Sequence, residues 1–224
     1  MRIGVESRLP RVTLNLLIIN GIMWMAQNIL PRIGLDITNL LGMHYVGAPN
    51  FGIWQLVTYM FLHANGFGHI FSNMFALFMF GPVLERIWGQ RRFLIFYIVC
   101  GVGAGLVQQV VWGISTPSEV LMAYGDMLLT IGASGAIFGI LLAFGMIFPN
   151  TPLFLLFVPI PIKAKYFVIF YGIFELISGV TSLGGSNIAH FAHLGGMLFG
   201  FLMIKYFQKQ DKKKKVNDGW QDFY

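Results

Sequence analysis

Six apolar runs, each close to the length of a membrane-crossing helix, set the main constraint on how this chain can fold. They cover residues 12–30, 69–83, 93–112, 134–148, 166–180 and 188–207. Charged residues make up 11% of the 224 residues, and hydrophobic residues make up 56%. Because soluble domains carry about 25% charged residues, the composition predicts an all-α, polytopic membrane protein. No long polar linker interrupts the runs, so we predict a single domain over 1–224 with its helical bundle at 12–207.

Basic residues between the runs predict how the chain is oriented. If six helices cross the membrane, both chain ends lie on one side, and thirteen of the fifteen lysines and arginines share that side. They are Arg2, Arg8, Arg11, Arg86, Arg91, Arg92, Lys163, Lys165, Lys209 and the lysines at 212–215. Since basic residues favour the cytoplasmic side, residues 1–11 and the basic tail at 208–224 are predicted to be cytoplasmic. We expect a multi-pass protein of the inner (plasma) membrane.

The net charge of +6 is explained by this orientation. The predicted partner of the basic residues is therefore the lipid bilayer, and no nucleic-acid partner is expected. The first run ends at Pro31 without a small-residue cleavage pattern, so we predict a retained span.

The connections between the runs differ in character. Residues 32–62 mix glycine, proline and asparagine with aromatic residues. This composition fits a segment in the outer membrane interface or an ordinary external loop. We predict loops at 113–131 and 181–187. The proline-bounded run at 153–161 is expected to enter the interface without crossing.

A serine flanked by small residues, Gly132-Ala133-Ser134-Gly135, opens the fourth run. Gly132 permits a tight turn, and Ser134 would then lie at a helix N-terminus, where free N–H groups favour negative charge. Fifteen helical residues span about 22 Å, which is less than the hydrocarbon thickness of about 30 Å. Ser134 is therefore predicted to lie several Å below the outer surface. The same motif is also typical of small residues that let two membrane helices pack closely.

A nucleophilic serine needs a base within hydrogen-bond reach, and histidine is the usual one. Two histidines, His190 and His193, lie near the outer end of the sixth run. Glycine pairs with matching spacing are Gly135 and Gly139 on the fourth run and Gly196 and Gly200 on the sixth. Close approach of these faces would bring His193 against Ser134. We interpret His190 as an interfacial or loop-pairing residue.

Two further polar residues, His69 and Asn73, share one face of the second helix because they lie four positions apart. Both can donate hydrogen bonds. Together with the Ser134 N–H they could stabilise the oxyanion of a tetrahedral intermediate. A structural hydrogen bond between helices is the alternative interpretation.

Two other residues of the runs bear on the same site. Phe138, one turn after Ser134, could form a floor under His193 or could simply pack in the core. Glu175 is predicted to be a protonated carboxyl bonded to a neighbouring helix, too deep to orient His193. The arrangement therefore favours a Ser–His dyad over a triad.

Metal and cofactor sites are not predicted. The chain has no His-Glu-x-x-His motif, no P-loop and no dinucleotide fingerprint, and its single cysteine, Cys100, can form neither a thiolate site nor an internal disulfide.

Taken together, these residues resemble the rhomboid family of intramembrane serine proteases over residues 63–200. The resemblance rests on three motifs in matching order: His69-Ile-Phe-Ser-Asn73, Gly132-Ala133-Ser134-Gly135 and Ala192-His193-Leu-Gly-Gly196 with Gly200. It implies a bacterial-type six-helix bundle with cytoplasmic termini, in which Ser134 is the nucleophile and His193 the general base. His69 and Asn73 would be the oxyanion side chains. The fifth run and the loop at 181–187 would correspond to the family's lateral gate and cap.

Three positions depart from the family pattern. The first loop carries Trp54-Gln55 where the family usually has Trp-Arg. The interval from His63 to His69 is one residue longer than expected, and Phe138 stands where tyrosine is common.

The function predicted from the sequence is an intramembrane serine endopeptidase acting on single-span membrane proteins. A proteolytically inactive relative that binds membrane clients is the alternative. A small-solute transporter is a weaker option, because it would predict internal repeats and a helix broken near mid-membrane.

Overall fold

The computed structural model describes residues 8–155, 158–181 and 190–217. Its α-helices, in chain order, are α1 (Arg11–Ile29), α2 (Ile37–Leu41), α3 (Gln55–Thr58), α4 (Phe67–Trp88), α5 (Gln90–Ser115), α6 (Ser118–Tyr124), α7 (Ser134–Ile147), α8 (Ala164–Thr181) and α9 (His190–Asn217). Short strands are β1 (Met43–His44), β2 (Leu129–Thr130), β3 (Pro152–Leu155) and β4 (Val158–Lys163). The fold is therefore mostly helical, with two small antiparallel pairs, β1–β2 and β3–β4.

Four helical segments of the described chain are long and apolar enough to cross a membrane. They are Arg11–Ile33, Phe67–Trp88, Gln90–Ser115 and Ala164–Thr181. Helix α7 is a shorter apolar helix, and α9 continues from an apolar first half into the lysine-rich tail. The long helices coincide with the predicted runs, although α4, α5 and α9 extend several residues beyond the predicted ends.

Helix α7 forms the centre of the bundle. Ten of its fourteen residues are buried, whereas α1 and α8 present exposed apolar side chains such as Ile22 and Phe170. An apolar exterior around a buried apolar helix is the arrangement expected for a protein surrounded by lipid. It places the first residue of α7, Ser134, inside a ring of other helices.

Glycines set the spacing between α7 and α9. A Cβ atom on Gly196 would overlap the carbonyl oxygen of Gly135, and one on Gly200 would lie 3.1 Å from the Cα of Gly139. The predicted contact between the two glycine faces is thereby confirmed. Because the backbones meet directly, the side chains at the outer ends of both helices are held in a fixed register.

The segment before α4 is folded rather than open. Strand β1 pairs with β2, with Met43 opposite Thr130. Gln55 is buried, accepts a hydrogen bond from the His44 N–H (3.1 Å) and donates one to the carbonyl of Asn50 (2.9 Å). Gln55 therefore anchors this segment, at the position where the family usually has arginine.

Another connection differs from its prediction, because the expected loop at 113–131 contains α6. The described residues of the run at 153–161 belong to the paired strands β3 and β4, and its place in the membrane interface stays a prediction. The predicted loop at 181–187 lies outside the described residues except for Thr181, as do residues 1–7 of the predicted cytoplasmic N-terminus.

Basic helix ends lie together. Arg86, near the end of α4, donates to the carbonyl of Arg8 just before α1 (3.3 Å). Arg92, near the start of α5, pairs with Asp211 in α9 (2.7 Å). Helices α4 and α5 are separated by Gly89 alone, whose φ of 77° reverses the chain. These contacts bring the basic ends of α1, α4, α5 and α9 to one end of the bundle.

Glu85, near the end of α4, is a buried carboxylate at this end of the bundle. It is 2% exposed and accepts hydrogen bonds from the Val12 N–H (2.9 Å) and from the N–H and hydroxyl of Thr13 (both 2.7 Å). The first N–H groups of α1 have no partner within their own helix. Glu85 satisfies two of them and ties α4 to α1.

We predict that Glu85→Gln lowers the free energy of unfolding by about 1–3 kcal/mol, because an amide offers one acceptor oxygen to three donors. Thermal unfolding in detergent would measure the change. Glu119→Gln is the matched control, since Glu119 is exposed on α6. Equal stability of the two variants would contradict a structural role for the Glu85 carboxylate.

Candidate active site

The first helical residue of α7 is Ser134, as predicted from the glycine before it. Gly132 has a φ of 136°, a conformation that favours glycine. Its N–H donates to the carbonyl of Tyr59 (2.9 Å), which fixes the turn against the segment before α4. The hydroxyl of Ser134 thus projects from a rigid turn at the N-terminus of a buried helix.

The imidazole of His193 lies within hydrogen-bond distance of Ser134. Its Nε2 is 2.7 Å from the Ser134 Oγ, across 59 residues of sequence, and both residues are half-buried. The ring stacks on Phe138, with centroids 4.4 Å apart and planes 8° from parallel. Phe138 is therefore the floor under His193 that its spacing suggested.

His69 lies beside the turn that precedes Ser134. A Cβ atom on Gly132 would be 3.2 Å from the His69 Nε2. The Ala64 N–H donates to the His69 Nδ1 (3.0 Å), so Nε2 carries the proton of the neutral ring. His69 consequently presents an N–H donor close to the serine.

Asn73 is oriented by its own helix. Its Nδ2 donates to the carbonyl of His69 (2.8 Å), and its Oδ1 has no hydrogen-bond partner among the described residues. This bond is within α4, so the alternative of a structural bond between helices does not describe it. One N–H of the amide remains for another acceptor.

Glu175 is closer to the histidines than the sequence indicated. Its Oε2 lies 2.6 Å from the Nδ1 of His190 and 3.0 Å from the Nδ1 of His193. The expected bond from Glu175 to a neighbouring helix is confirmed, but the expectation that Glu175 is too deep to approach His193 was wrong. The interpretation of His190 as an interfacial or loop-pairing residue was also wrong, because His190 is 7% exposed and its partner lies on a helix. Sequence spacing within one helix does not indicate this cluster, because the cluster depends on how α8 packs against α9.

Potential metal-ligating atoms of Glu175, His190 and His193 all lie within 4.8 Å of one another. Ligands held at about 2.0 Å by a tetrahedral zinc ion lie about 3.3 Å apart. The 2.6 Å separation between Glu175 and His190 is shorter and corresponds to a hydrogen bond. In this geometry the contact between Glu175 and His190 is therefore a hydrogen bond, and the His193 Nδ1 lies 3.0 Å from the same carboxylate oxygen.

His63 packs against the ring of His69. The two rings meet edge to face with centroids 5.2 Å apart. The backbone N–H of His63 donates to the Gln27 Oε1 (2.8 Å). Burial, together with the nearby His69, lowers the pKa of His63 to about 4. His63 is thus neutral at neutral pH and adds no positive charge behind His69.

The sequence of this chain is similar to one protein family and to several known proteins. The family model described as Rhomboid domain matches residues 50–210, which include every residue of the site. The putative rhomboid protease YdcA of Bacillus subtilis is 31% identical, over 70% of this chain and 69% of its own length. The rhomboid protease AarA of Providencia stuartii is 31% identical over 73% of this chain, and the chloroplastic rhomboid-like protein 11 of Arabidopsis thaliana is 29% identical over 74%. The chain spans 59% of the length of each of these last two relatives.

Proposed function

The chain belongs to the rhomboid family, and from this premise we propose that it is an intramembrane serine endopeptidase that cleaves membrane-spanning segments of single-span proteins. The observation that carries the proposal is the 2.7 Å distance between the Ser134 Oγ and the His193 Nε2. A serine hydroxyl paired with a histidine at a helix N-terminus is suited to acyl transfer. Relatives named as proteases support the same reaction class.

In the proposed mechanism, Nε2 of His193 accepts the proton of the Ser134 hydroxyl as Oγ bonds to the substrate carbonyl carbon. The carbonyl electron pair moves to oxygen and forms a tetrahedral intermediate. The N–H of Ser134, the Nε2–H of His69 and the free N–H of Asn73 would donate to that oxygen. His193 then returns the proton to the leaving amine, and water, activated by the same imidazole, hydrolyses the acyl-enzyme.

Substrate access follows from the surrounding helices. We propose that six helices cross the inner (plasma) membrane with both termini in the cytoplasm. Ser134 then lies below the outer surface, and a substrate segment enters between helices from the lipid. Its helix must unwind locally, because an intact helix keeps its carbonyls hydrogen-bonded. The apolar exposed faces of α1 and α8 suit contact with that lipid.

The decisive experiment combines cleavage with active-site labelling. Purified protein in detergent is mixed with a model single-span substrate and, separately, with a fluorophosphonate probe. Wild type should cleave the substrate and bind the probe, whereas Ser134→Ala should do neither. A client-binding protein without protease activity, the alternative, would bind the substrate without cleaving it or reacting with the probe. Equal cleavage by both proteins would refute Ser134 as the nucleophile.

A further inference from the structure

We propose that Glu175 is a positioning residue that holds His193 in the tautomer needed to accept the serine proton. The inference rests on the proposed protease function and extends the Ser–His pair by one carboxylate. Glu175 touches neither Ser134 nor the reacting carbonyl, so its effect passes through His193.

The geometry brings one carboxylate oxygen to two imidazoles. Glu175 belongs to α8, and both histidines belong to α9. Its Oε2 is 2.6 Å from the Nδ1 of His190 and 3.0 Å from the Nδ1 of His193. The exposed fraction of the Glu175 side chain is 7%, and those of His190 and His193 are 9% and 14%. A carboxylate this deeply buried is retained at large cost unless donors compensate it, and these two rings are placed to do so.

The tautomer of His193 decides whether the serine can be activated. A neutral imidazole carries one proton, on Nδ1 or on Nε2. Because Nε2 faces the Ser134 Oγ at 2.7 Å, the ring acts as a base only when the proton is on Nδ1. A carboxylate near Nδ1 favours that form and stabilises the imidazolium that arises when Nε2 takes the serine proton. Glu175 remains ionised throughout and receives no proton.

His190 and Phe138 explain how the contact is held. The His190 Nδ1 lies at hydrogen-bond distance from Oε2 and fixes the carboxylate on the α9 side. The His193 Nδ1 has no aligned hydrogen bond in the structure, although Oε2 is 3.0 Å away. The stack on Phe138, with planes 8° from parallel, restricts the tilt of the His193 ring and keeps its Nδ1 beside Oε2.

The test compares the kinetics of Glu175→Gln and His190→Gln with wild type on the single-span substrate. We expect Glu175→Gln to lower kcat at least about 100-fold with KM unchanged, because the amide can favour the wrong tautomer and carries no charge. His190→Gln should lower kcat less than about 10-fold, because the carboxylate beside His193 remains. Glu119→Gln, on an exposed glutamate, is the matched control for the same chemical change. Thermal unfolding of each variant checks that the fold is kept.

Several outcomes would overturn the inference while leaving the protease function intact. Cleavage by Glu175→Gln at the wild-type rate would do so, and so would equal losses in the two variants, since the carboxylate would then act through helix packing alone. Loss of wild-type activity in a chelator would show a metal at the cluster instead. An inactive wild type would overturn both proposals together.

A spectroscopic measurement keeps the inference testable if Glu175→Gln does not fold. Histidine labelled with ¹⁵N distinguishes protonated from unprotonated ring nitrogens, and the His193 signals are assigned by their absence in His193→Gln. Wild type should show His193 with its proton on Nδ1. A proton on Nε2 would contradict the assignment.

Discussion

Replacing His193 by alanine should lower kcat at least about 10³-fold even though Ser134 stays in place. Without Nε2 at 2.7 Å, the hydroxyl has no base and stays a weak nucleophile at neutral pH. Binding of the substrate segment should change little, so KM is expected to stay within about threefold of wild type. Single-turnover cleavage of the model substrate and the rate of fluorophosphonate labelling would both measure the loss.

A variant that lacks both side chains tests whether Ser134 and His193 act as one unit. Residues that act as one unit are not additive, so Ser134→Ala combined with His193→Ala should be no slower than Ser134→Ala alone. Ser115→Ala is the matched serine control, because Ser115 is exposed on α5 and its hydroxyl bonds the carbonyl of Val111 in the same helix. Losses that multiply in the double variant would show that the two residues act independently.

The pairing of Ser134 with His193 could be predicted because the spacing of glycines on each helix indicates which face contacts the other helix. Glycines four residues apart on α7 and on α9 allow direct backbone contact. Ser134 directly precedes Gly135, and His193 lies one turn before Gly196, so contact along these faces brings both residues to the same end of the helix pair. For Phe138 the sequence left two interpretations open, a floor under His193 or core packing, and the structure has the ring stacked on His193.

Glu175 could not be placed in this way. The position of Glu175 along its own run predicts a depth within α8 and does not indicate how α8 is offset relative to α9. That offset depends on packing between the helices, for example at Gly179, where an added Cβ atom would lie 3.0 Å from the Phe191 ring and 3.3 Å from the His190 Cβ. A hydropathy pattern along one helix carries no information about it.

Glu85 illustrates a second limit of sequence reasoning. In a hydropathy profile a glutamate beside an arginine marks a membrane boundary. In the structure its carboxylate is buried and satisfied by donors at the start of α1, 72 residues earlier in the chain.

The irregular segment between α1 and α4 could not be predicted for a related reason. Its strand β1 is two residues long and is defined by pairing with the distant strand β2.

The second large effect is expected at Gly196, where alanine should separate α7 from α9. The added methyl group would overlap the carbonyl oxygen of Gly135, and neither backbone can move without displacing the other contacts of its helix. Overpacking a well-packed core costs about 1–3 kcal/mol and occasionally more, and we expect about 3 kcal/mol here because the clash is with backbone. Any outward shift of α9 would also lengthen the 2.7 Å contact between Ser134 and His193. The fractional loss of cleavage activity should therefore be larger than the loss of folded protein explains.

Gly21→Ala is the matched control for this change. Gly21 lies within α1, and a Cβ atom there would meet nothing within 4 Å, so alanine should be neutral or stabilising by up to about 1 kcal/mol through its higher helix propensity. Thermal unfolding and cleavage of the model substrate would be measured on both variants. If Gly196→Ala retained wild-type cleavage and stability, close backbone contact between α7 and α9 could not be what brings the serine and the histidine together. The proposed mechanism would then need another source of their alignment.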